Sequence, residues 1–436
     1  APCVVCRVTF ALCQRPFRRD DLKVDAASMP FASDEKTGVV LAEGQAEPFA
    51  LRLGGIRHVA PYWILAKLSL RRRRGVEYGE QGQTKIGKQL RALANEDGRR
   101  MLPTAEWWEN ELRAGRVFLD ADMSGAPVNA DAPMEVPREG GGNGASLTLY
   151  ARFHYHEQAV PDVAPNVLYS DDHYVVANKP PGVDVLRNPA AGRVRNSLPG
   201  MLLSKMELEE VVAGVGVAVP KPAHRLDTPV SGLVCCGRTN SDVKRLSRRI
   251  ELGEAGKLYL ARVAVPEGGL PQLPLVIDAA VGFDSSKSLA YVDSSGSGKE
   301  ARTVVEGCLD GVRADGTAVL SVRILTGRKH QIRAHLQSVG MSIANDARYG
   351  GMIEAPSLRA FCTPNPPSEL RDLYESNYVD GCEYCKFSKE VLAGRRGPGP
   401  NVSPGIWLHC WKYAFPTLGL SFESPLPQWA IVQNKM

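Results

Sequence analysis

Apolar and polar positions divide the chain into stretches of different character. Residues 1–55 show little periodicity and are expected to form an N-terminal extension. From Ile56 an apolar, aromatic stretch (Pro61, Tyr62, Trp63, Ile64, Leu65) leads into the basic block Arg71 to Arg74. The spacing predicts a helix over 85–95 and a second over 104–114, with Thr104 as N-cap and Gly115 as stop. A short strand is predicted over 116–119. Gly140, Gly141, Gly142 and Gly144 mark a flexible loop that lacks the strand–turn–helix context of a phosphate loop. Residues 159–166, rich in Pro and Val, read as a linker.

Strands are predicted over 167–169 and 174–177, the latter ending in the rigid turn Lys179, Pro180, Pro181 and Gly182. The stretch His224 to Gly232 then places a carboxylate, Asp227, just before the apolar run Leu233 to Cys236. It reads as an acid held on a loop at the mouth of a buried strand. Taken alone, it reads first as an Asp-Thr-Pro turn that caps a strand. Asn240 is predicted to cap a helix with Val243, Leu246 and Ile250 on one face and Lys244, Arg245, Arg248 and Arg249 on the other, ended by Gly253. Strands follow over 257–265, near 303–306 and over 318–325. Ile332, Leu336 and Val339 recur at helical spacing, and the first turn of that helix carries Arg328, Lys329, His330 and Arg333. Cations there oppose the helix dipole, and bound phosphates or a catalytic carboxylate would account for them. Residues 351–405, rich in Pro, Gly and charge, read as an insertion. Buried strands are predicted over 406–416 and near 418–422.

Composition narrows the class. With 44% hydrophobic and 23% charged residues the chain is globular, and 436 residues exceed one ordinary core. It has no apolar run of about 18 residues to span a membrane as a helix. The net charge of +5 is clustered, which suits a polyanion such as RNA. Ten cysteines without a dense framework fit a reducing compartment, and Cys235 and Cys236 read as small core hydrophobes. Between Ala1 and Arg19 there are four arginines and no acid. This resembles a transit segment, so a mitochondrial location is expected, with cytoplasm or nucleus as alternatives. Cys3, Cys6 and Cys13 make an incomplete zinc set.

In chain order, the KPPG turn (Lys179 to Gly182), HRLD with SGL (His224 to Leu233) and K-x-Y-x-A (Lys257, Tyr259, Ala261) resemble the RluA family of RNA pseudouridine synthases. So do TGRKHQIRAH (Thr326 to His335), the downstream Asp346, Tyr349 and Gly350, and LHC (Leu408 to Cys410). The resemblance covers about residues 165–422. Val230 stands where the family has Thr, and Cys410 where it has Ala. The N-terminal half is similar to the S4-like segment of the eukaryotic branch that includes tRNA pseudouridine-32 synthases. Tyr62, Trp63, the Arg113–Arg116 region and His154 to Glu157 carry that likeness. The resemblance implies an α+β, pseudouridine-synthase fold: a central mixed, mostly antiparallel sheet flanked by helices, preceded by a small S4-like α/β module. The expected domains are an extension (1–55), an RNA-binding S4-like module (56–158) and a catalytic domain (159–436) with its insert at 351–405.

By resemblance Asp227 is the catalytic carboxylate, attacking the ribose or removing a sugar proton. Arg333 pairs with it and keeps it ionised. Tyr259 stacks on the uracil, although the same residue also reads as a strand aromatic of the core. His224, Arg225, Lys179, Arg328, His330 and Gln331 are RNA-contact or loop-ordering candidates, His224 reading equally as structural. The base must flip out of its stack. The isomerisation implies no metal and no redox cofactor. For Cys382 and Cys385 the alternatives are two thiols in an insert, or a zinc site completed by Cys362 and a further ligand, His409 or Cys410. The implied activity is uridine-to-pseudouridine isomerisation in structured RNA, tRNA or organellar rRNA, without membrane association. The competing readings are an RNA-binding scaffold for ribosomal assembly intermediates that has kept the fold, and an aspartate-based nucleoside hydrolase.

Overall fold

The structure, a computed structural model, describes residues 40–41, 50–53, 56–70, 83–86, 105–129, 133–135, 147–186, 194–202, 220–353, 358–359, 367–393, 401–402 and 405–431. Among these no helix is long and apolar enough to cross a membrane.

The N-terminal half contains β1 (Ala50–Leu53), β2 (Ile56–Val59), β3 (Tyr62–Leu70), α1 (Ala105–Arg113), β4 (Leu147–Tyr155) and β5 (Val160–Pro161). β3 and β4 pair antiparallel from Tyr62↔Tyr155 to Leu70↔Leu147. Their alternation buries Tyr62, Ile64, Ala66, Leu68 and Leu70 with Leu149, Ala151, Phe153 and Tyr155, as a period of two requires. Trp108 and Leu112, one helical turn apart on α1, close that core. Of the helix predicted over 85–95 only Lys85 and Ile86 are described, and Lys85 ends a short strand, Gln83–Lys85. Residues 87–95 and the cap Thr104 lie outside the described residues, as do Cys3, Cys6, Cys13 and Cys362. The strand expected over 116–119 is not formed. Phe118 makes a single bridge with Tyr150, and the chain then reverses at Asp120–Met123. The segment read as a linker is partly tied down, since β5 pairs with β2 through Arg57↔Val160.

The C-terminal half is organised on β6 (Asn166–Ser170), β7 (Tyr174–Lys179), β8 (Ser231–Gly237), β9 (Gly256–Ala264), β10 (Leu275–Asp278), β11 (Val281–Asp284), β12 (Leu289–Val292), β13 (Arg302–Val312), β14 (Thr317–Ile324), β15 (Leu408–Phe415) and β16 (Leu420–Glu423). All but β11 and β12, which form a separate hairpin, belong to one sheet of order β10-β13-β14-β9-β15-β8-β7-β6, with β16 beside β15. Every pairing is antiparallel except β8 with β15. The sheet is thus mixed and mostly antiparallel, as the motif order implied. β8 is buried at every position, consistent with a central strand covered on both faces.

α2 (Asn240–Glu251) packs on β8. Its N-cap is Thr239, not Asn240. The Thr239 hydroxyl accepts from the Asp242 N–H while Asp242 accepts from the Thr239 N–H, a capping box that leaves Asn240 as the first helical residue. α3 (Gln331–Ser338) lies near β12 and β13. The insert forms α4 (Ser368–Glu375) and α5 (Glu383–Leu392). Leu370, Leu373, Tyr374 and Leu392 pack there against Ala60 and Leu51 of the N-terminal half.

Where β8, β15 and β9 meet, Gly232 and Tyr259 both lie opposite Cys410. Gly232 has φ +116°, and a Cβ on it would sit 2.4 Å from both the Cys410 nitrogen and the Cys410 oxygen. Replacing it with Ala is therefore expected to destabilise the fold by about 3 kcal/mol through strain and forced separation of the strands. Chemical denaturation of Gly232→Ala beside the parent chain checks this.

Burial lowers the pKa of His58 to about 4, of His224 to about 3 and of His409 to about 4, so all three are neutral near pH 7. The unfolded chain binds protons on these rings below about 6.5 while the fold does not. Stability is therefore full above that value and falls as pH drops toward 4, by up to about 1.4 kcal/mol per pH unit for each ring. Urea midpoints measured from pH 7 down to pH 5 should fall, and replacing His409 with Gln should flatten the decline.

Candidate active site

Asp227 lies on the loop that feeds β8. Its side chain keeps 18% of its exposure, whereas Arg333 keeps 4% and Asp346 1%. This makes Asp227 an acid at the open end of a buried charge chain. Arg333 sits in the first turn of α3. Its Nε and Nη2 donate to the two carboxylate oxygens of Asp346 at 2.6 and 2.8 Å, and its Nη1 donates to Asp227 Oδ2 at 3.4 Å. Its guanidinium stacks 4.6 Å from the centre of the Tyr349 ring. Burial opposes the charge of Arg333, but the hydrogen bonds and charge of Asp346, with the charge of Asp227, outweigh it and raise its pKa. Of the four cations expected in this first turn only Arg333 lies in the helix, since Arg328, Lys329 and His330 precede Gln331, and two carboxylates account for Arg333.

His330 is the residue before α3 and takes φ +55°. That left-handed turn brings its Nε2 to 3.6 Å from Asp227 Oδ2 and its Nδ1 to 3.0 Å from the Tyr349 hydroxyl. Burial, with Arg333 and Lys329 nearby, outweighs Asp227 and lowers its pKa to about 4, so it is a neutral hydrogen-bonding group near pH 7. The Tyr349 hydroxyl also accepts from the Ala290 N–H at 2.9 Å, which ties the β11–β12 hairpin to the site.

Tyr259 faces the same region from β9, 7% exposed. Its hydroxyl is hydrogen-bonded to Cys410, and burial, with Asp227 among the contributing charges, raises its pKa well above the ordinary value. The phenol is held protonated. The sheet thus brings Tyr259 and Cys410 beside the loop that carries Asp227, and α3 brings Arg333 to it.

Three RNA-contact candidates are turned inward. Lys179 is fully buried, and its Nζ donates to the carbonyls of Pro180 and Val183 at 2.8 Å each and of Thr228 at 3.2 Å. With the Gly182 N–H bonded to the same Thr228 carbonyl at 2.8 Å, it clasps the KPPG turn to the Asp227 loop. Its role is loop ordering, not phosphate contact. Gln331 is 3% exposed. It donates to the Arg302 carbonyl and Thr303 hydroxyl at 3.0 Å each and accepts from the Thr326 hydroxyl and the Arg328 N–H. His224 accepts from the Cys235 N–H at 3.0 Å and stacks on Tyr413 at 4.5 Å, so the structural reading holds for it. Arg225 and Arg328 are exposed. So is Lys329, whose Nζ lies 3.7 Å over the Phe283 ring and which interacts electrostatically with Arg225, Asp227 and Arg348.

The sequence reading gave no role to Asp346 or Tyr349, although both stand in a quoted motif. It also passed over Asp184, whose carboxylate accepts from the Thr228 hydroxyl next to Asp227. Glu157 is buried and accepts from Tyr62 at 2.6 Å and from the N–H groups of Val194, Arg195 and Asn196. Ser197 then bridges to Asp184. A lone Glu after two histidines carries no sequence signal of that role.

His409 and Cys410 are not available to Cys382 and Cys385. The His409 ring bonds Ser231 at 2.8 Å and Ser424 at 2.6 Å, and Cys410 bonds Tyr259.

Comparison with known proteins identifies the family. Residues 173–338 match the RNA pseudouridylate synthase family model. The dual-specificity RNA pseudouridine synthase RluA of Escherichia coli is 32% identical over 44% of this chain and 79% of its own length. RNA pseudouridine synthase 7 of rice is 27% identical over 76% of this chain and 82% of its own. The mitochondrial tRNA pseudouridine(32) synthase of Saccharomyces cerevisiae is 30% identical over 56% of this chain and 47% of its own. The chain belongs to the RluA family of RNA pseudouridine synthases and is an isomerase acting on RNA.

Proposed function

We propose that Asp227 is the catalytic carboxylate and that the substrate is a uridine in tRNA, modified in the mitochondrion. The observation that carries the catalytic assignment is the Arg333 to Asp227 contact at 3.4 Å, with Arg333 fixed from behind by both oxygens of Asp346. A preorganised cation costs no rearrangement when charge develops beside it. In the reaction the N1–C1′ bond breaks, the base turns, C5 bonds to C1′, and the C5 proton leaves as N1 gains one. Asp227 acts on the sugar, as nucleophile or as base toward a sugar proton. Arg333 aims its carboxylate. Tyr259 supplies a ring for the uracil, and its protonated phenol is a donor, not the base for C5. Arg225, Arg328 and Lys329, exposed near the site, contact backbone phosphates, and a flipped base reaches Asp227 between them.

The choice of tRNA is supported by the names of two yeast relatives, a tRNA pseudouridine(32) synthase and a tRNA pseudouridine(31) synthase. The mitochondrial location is supported by the first of these and by the arginines before residue 20.

Two substitutions test this reading. Asp227→Asn, at unchanged protein level, should reduce turnover at least about 1,000-fold. Carbodiimide-based sequencing of its cells should lose one or a few tRNA pseudouridines. Unchanged maps would sink the catalytic assignment, and losses confined to rRNA would sink the choice of tRNA. Asp346→Asn should keep the fold and lower kcat about 100-fold with little change in KM, because it loosens Arg333 and not RNA binding. Steady-state kinetics on the cognate RNA checks the split.

A further inference from the structure

Two segments far apart in sequence converge on a cluster outside the active site. His154, near the end of β4, and His156, just beyond it, are two residues apart and so face one side of the extended chain. Cys382 is the N-cap residue of α5 and Cys385 lies in its first turn. The pair therefore sits side by side at the N-terminal end of the helix. One ligand atom from each of the four side chains lies within 4.8 Å of all the others. Cys382 Sγ is 3.4 Å from His156 Nε2, and Cys385 Sγ is 3.4 Å from both His154 Nδ1 and His156 Nε2. A tetrahedral zinc with ordinary Zn–S and Zn–N bonds sets sulfur–nitrogen edges of about 3.5 Å.

We propose that His154, His156, Cys382 and Cys385 form a structural zinc site that pins the α4–α5 insert to the N-terminal sheet. Four protein ligands fill the tetrahedron, which leaves no open coordination position and assigns the metal to folding, not to the isomerisation. The surroundings fit such a site. The Val379 N–H donates to Cys385 Sγ at 3.4 Å, as second-sphere donors to metal thiolates do. Tyr384 stacks on His156 at 5.6 Å, and Trp63 packs against His154 at 5.0 Å. The insert has reason to need a staple, because among the described residues the cluster it makes with the N-terminal half is small, five buried hydrophobic residues. Glu157, directly after His156, holds the backbone of residues 194–196. The site is therefore continuous in sequence with the contacts that reach Asp184 and Thr228.

The test uses the full chain produced in zinc-supplemented medium. Elemental analysis by mass spectrometry should find about one zinc per chain, falling to about a tenth in Cys382→Ser/Cys385→Ser and unchanged in Cys308→Ser. Exchange into Co²⁺ should give tetrahedral ligand-field bands with thiolate charge transfer. His156→Cys should keep the metal and strengthen that charge-transfer band. Removing the metal by chelation should raise amide exchange across 367–393 before it does so in β8 or β9. A full chain without metal, zinc retained by the double variant, bound iron, or a Co²⁺ spectrum unchanged by His156→Cys would each overturn the proposal. The last two arms stand even if the double variant does not fold.

Discussion

A guanidinium withdrawn from water is tolerated only when its donors are met by acceptors of matching geometry, because the desolvation cost of an unpaired buried charge is several kcal/mol. Arg333 meets that condition through the fork it shares with Asp346, and much of the surrounding structure serves to hold the fork. Asp346 stands at the mouth of the short 3-10 turn Ala347–Tyr349. Gly351 lets the chain pass so close to the Ile343 carbonyl that a Cβ would overlap it. Tyr349 closes the far side of the guanidinium and is itself fixed by Ala290 and His330. What remains of the hydrogen-bonding capacity of Arg333 points at Asp227, and that remainder is what the chemistry uses.

The loop carrying Asp227 is positioned by a different device. A lysine with no exposure, Lys179, donates to carbonyls on both the KPPG turn and the Asp227 loop. Backbone carbonyls satisfy an ammonium without drawing it toward a competing acid, so the one acid of this loop stays free to face Arg333. The adjacent parallel pairing of β8 with β15 requires Gly232 against Cys410. The atoms approached are backbone atoms of Cys410, so the approach depends on Gly232 and not on which side chain stands at 410. Val230 is buried and belongs to the apolar core beside this loop.

Among the described residues, buried polar contacts help join the N-terminal sheet to the catalytic half. Glu157 gathers Tyr62 and the amides of residues 194–196, and Arg57 adds a 2.8 Å bond to Asn196. A buried carboxylate among backbone donors is costly to leave unmet and directional when met. Such contacts fix orientation where apolar packing alone would allow sliding.

The sequence by itself determined the elements whose signal is local. The alternation of β3 and β4, the period of α2 and α3, and the unbroken apolar run of β8 follow from which side chains must leave water. The motif order also marked Asp227, Tyr259 and Arg333 as one group. It could not show which way polar side chains turn. Lys179, Gln331 and His224 have the residue types of RNA contacts, yet each faces inward, because the acceptors and donors that capture them come from segments distant in the chain. Asp346 and Glu157 went without roles for the same reason. The partners of Cys382 and Cys385 lie 226 to 231 residues away, whereas His409 and Cys410, closer in sequence, are committed to the sheet. Local periodicity is written in neighbouring residues; the satisfaction of a buried charge or a ligand set depends on which strands the fold lays side by side.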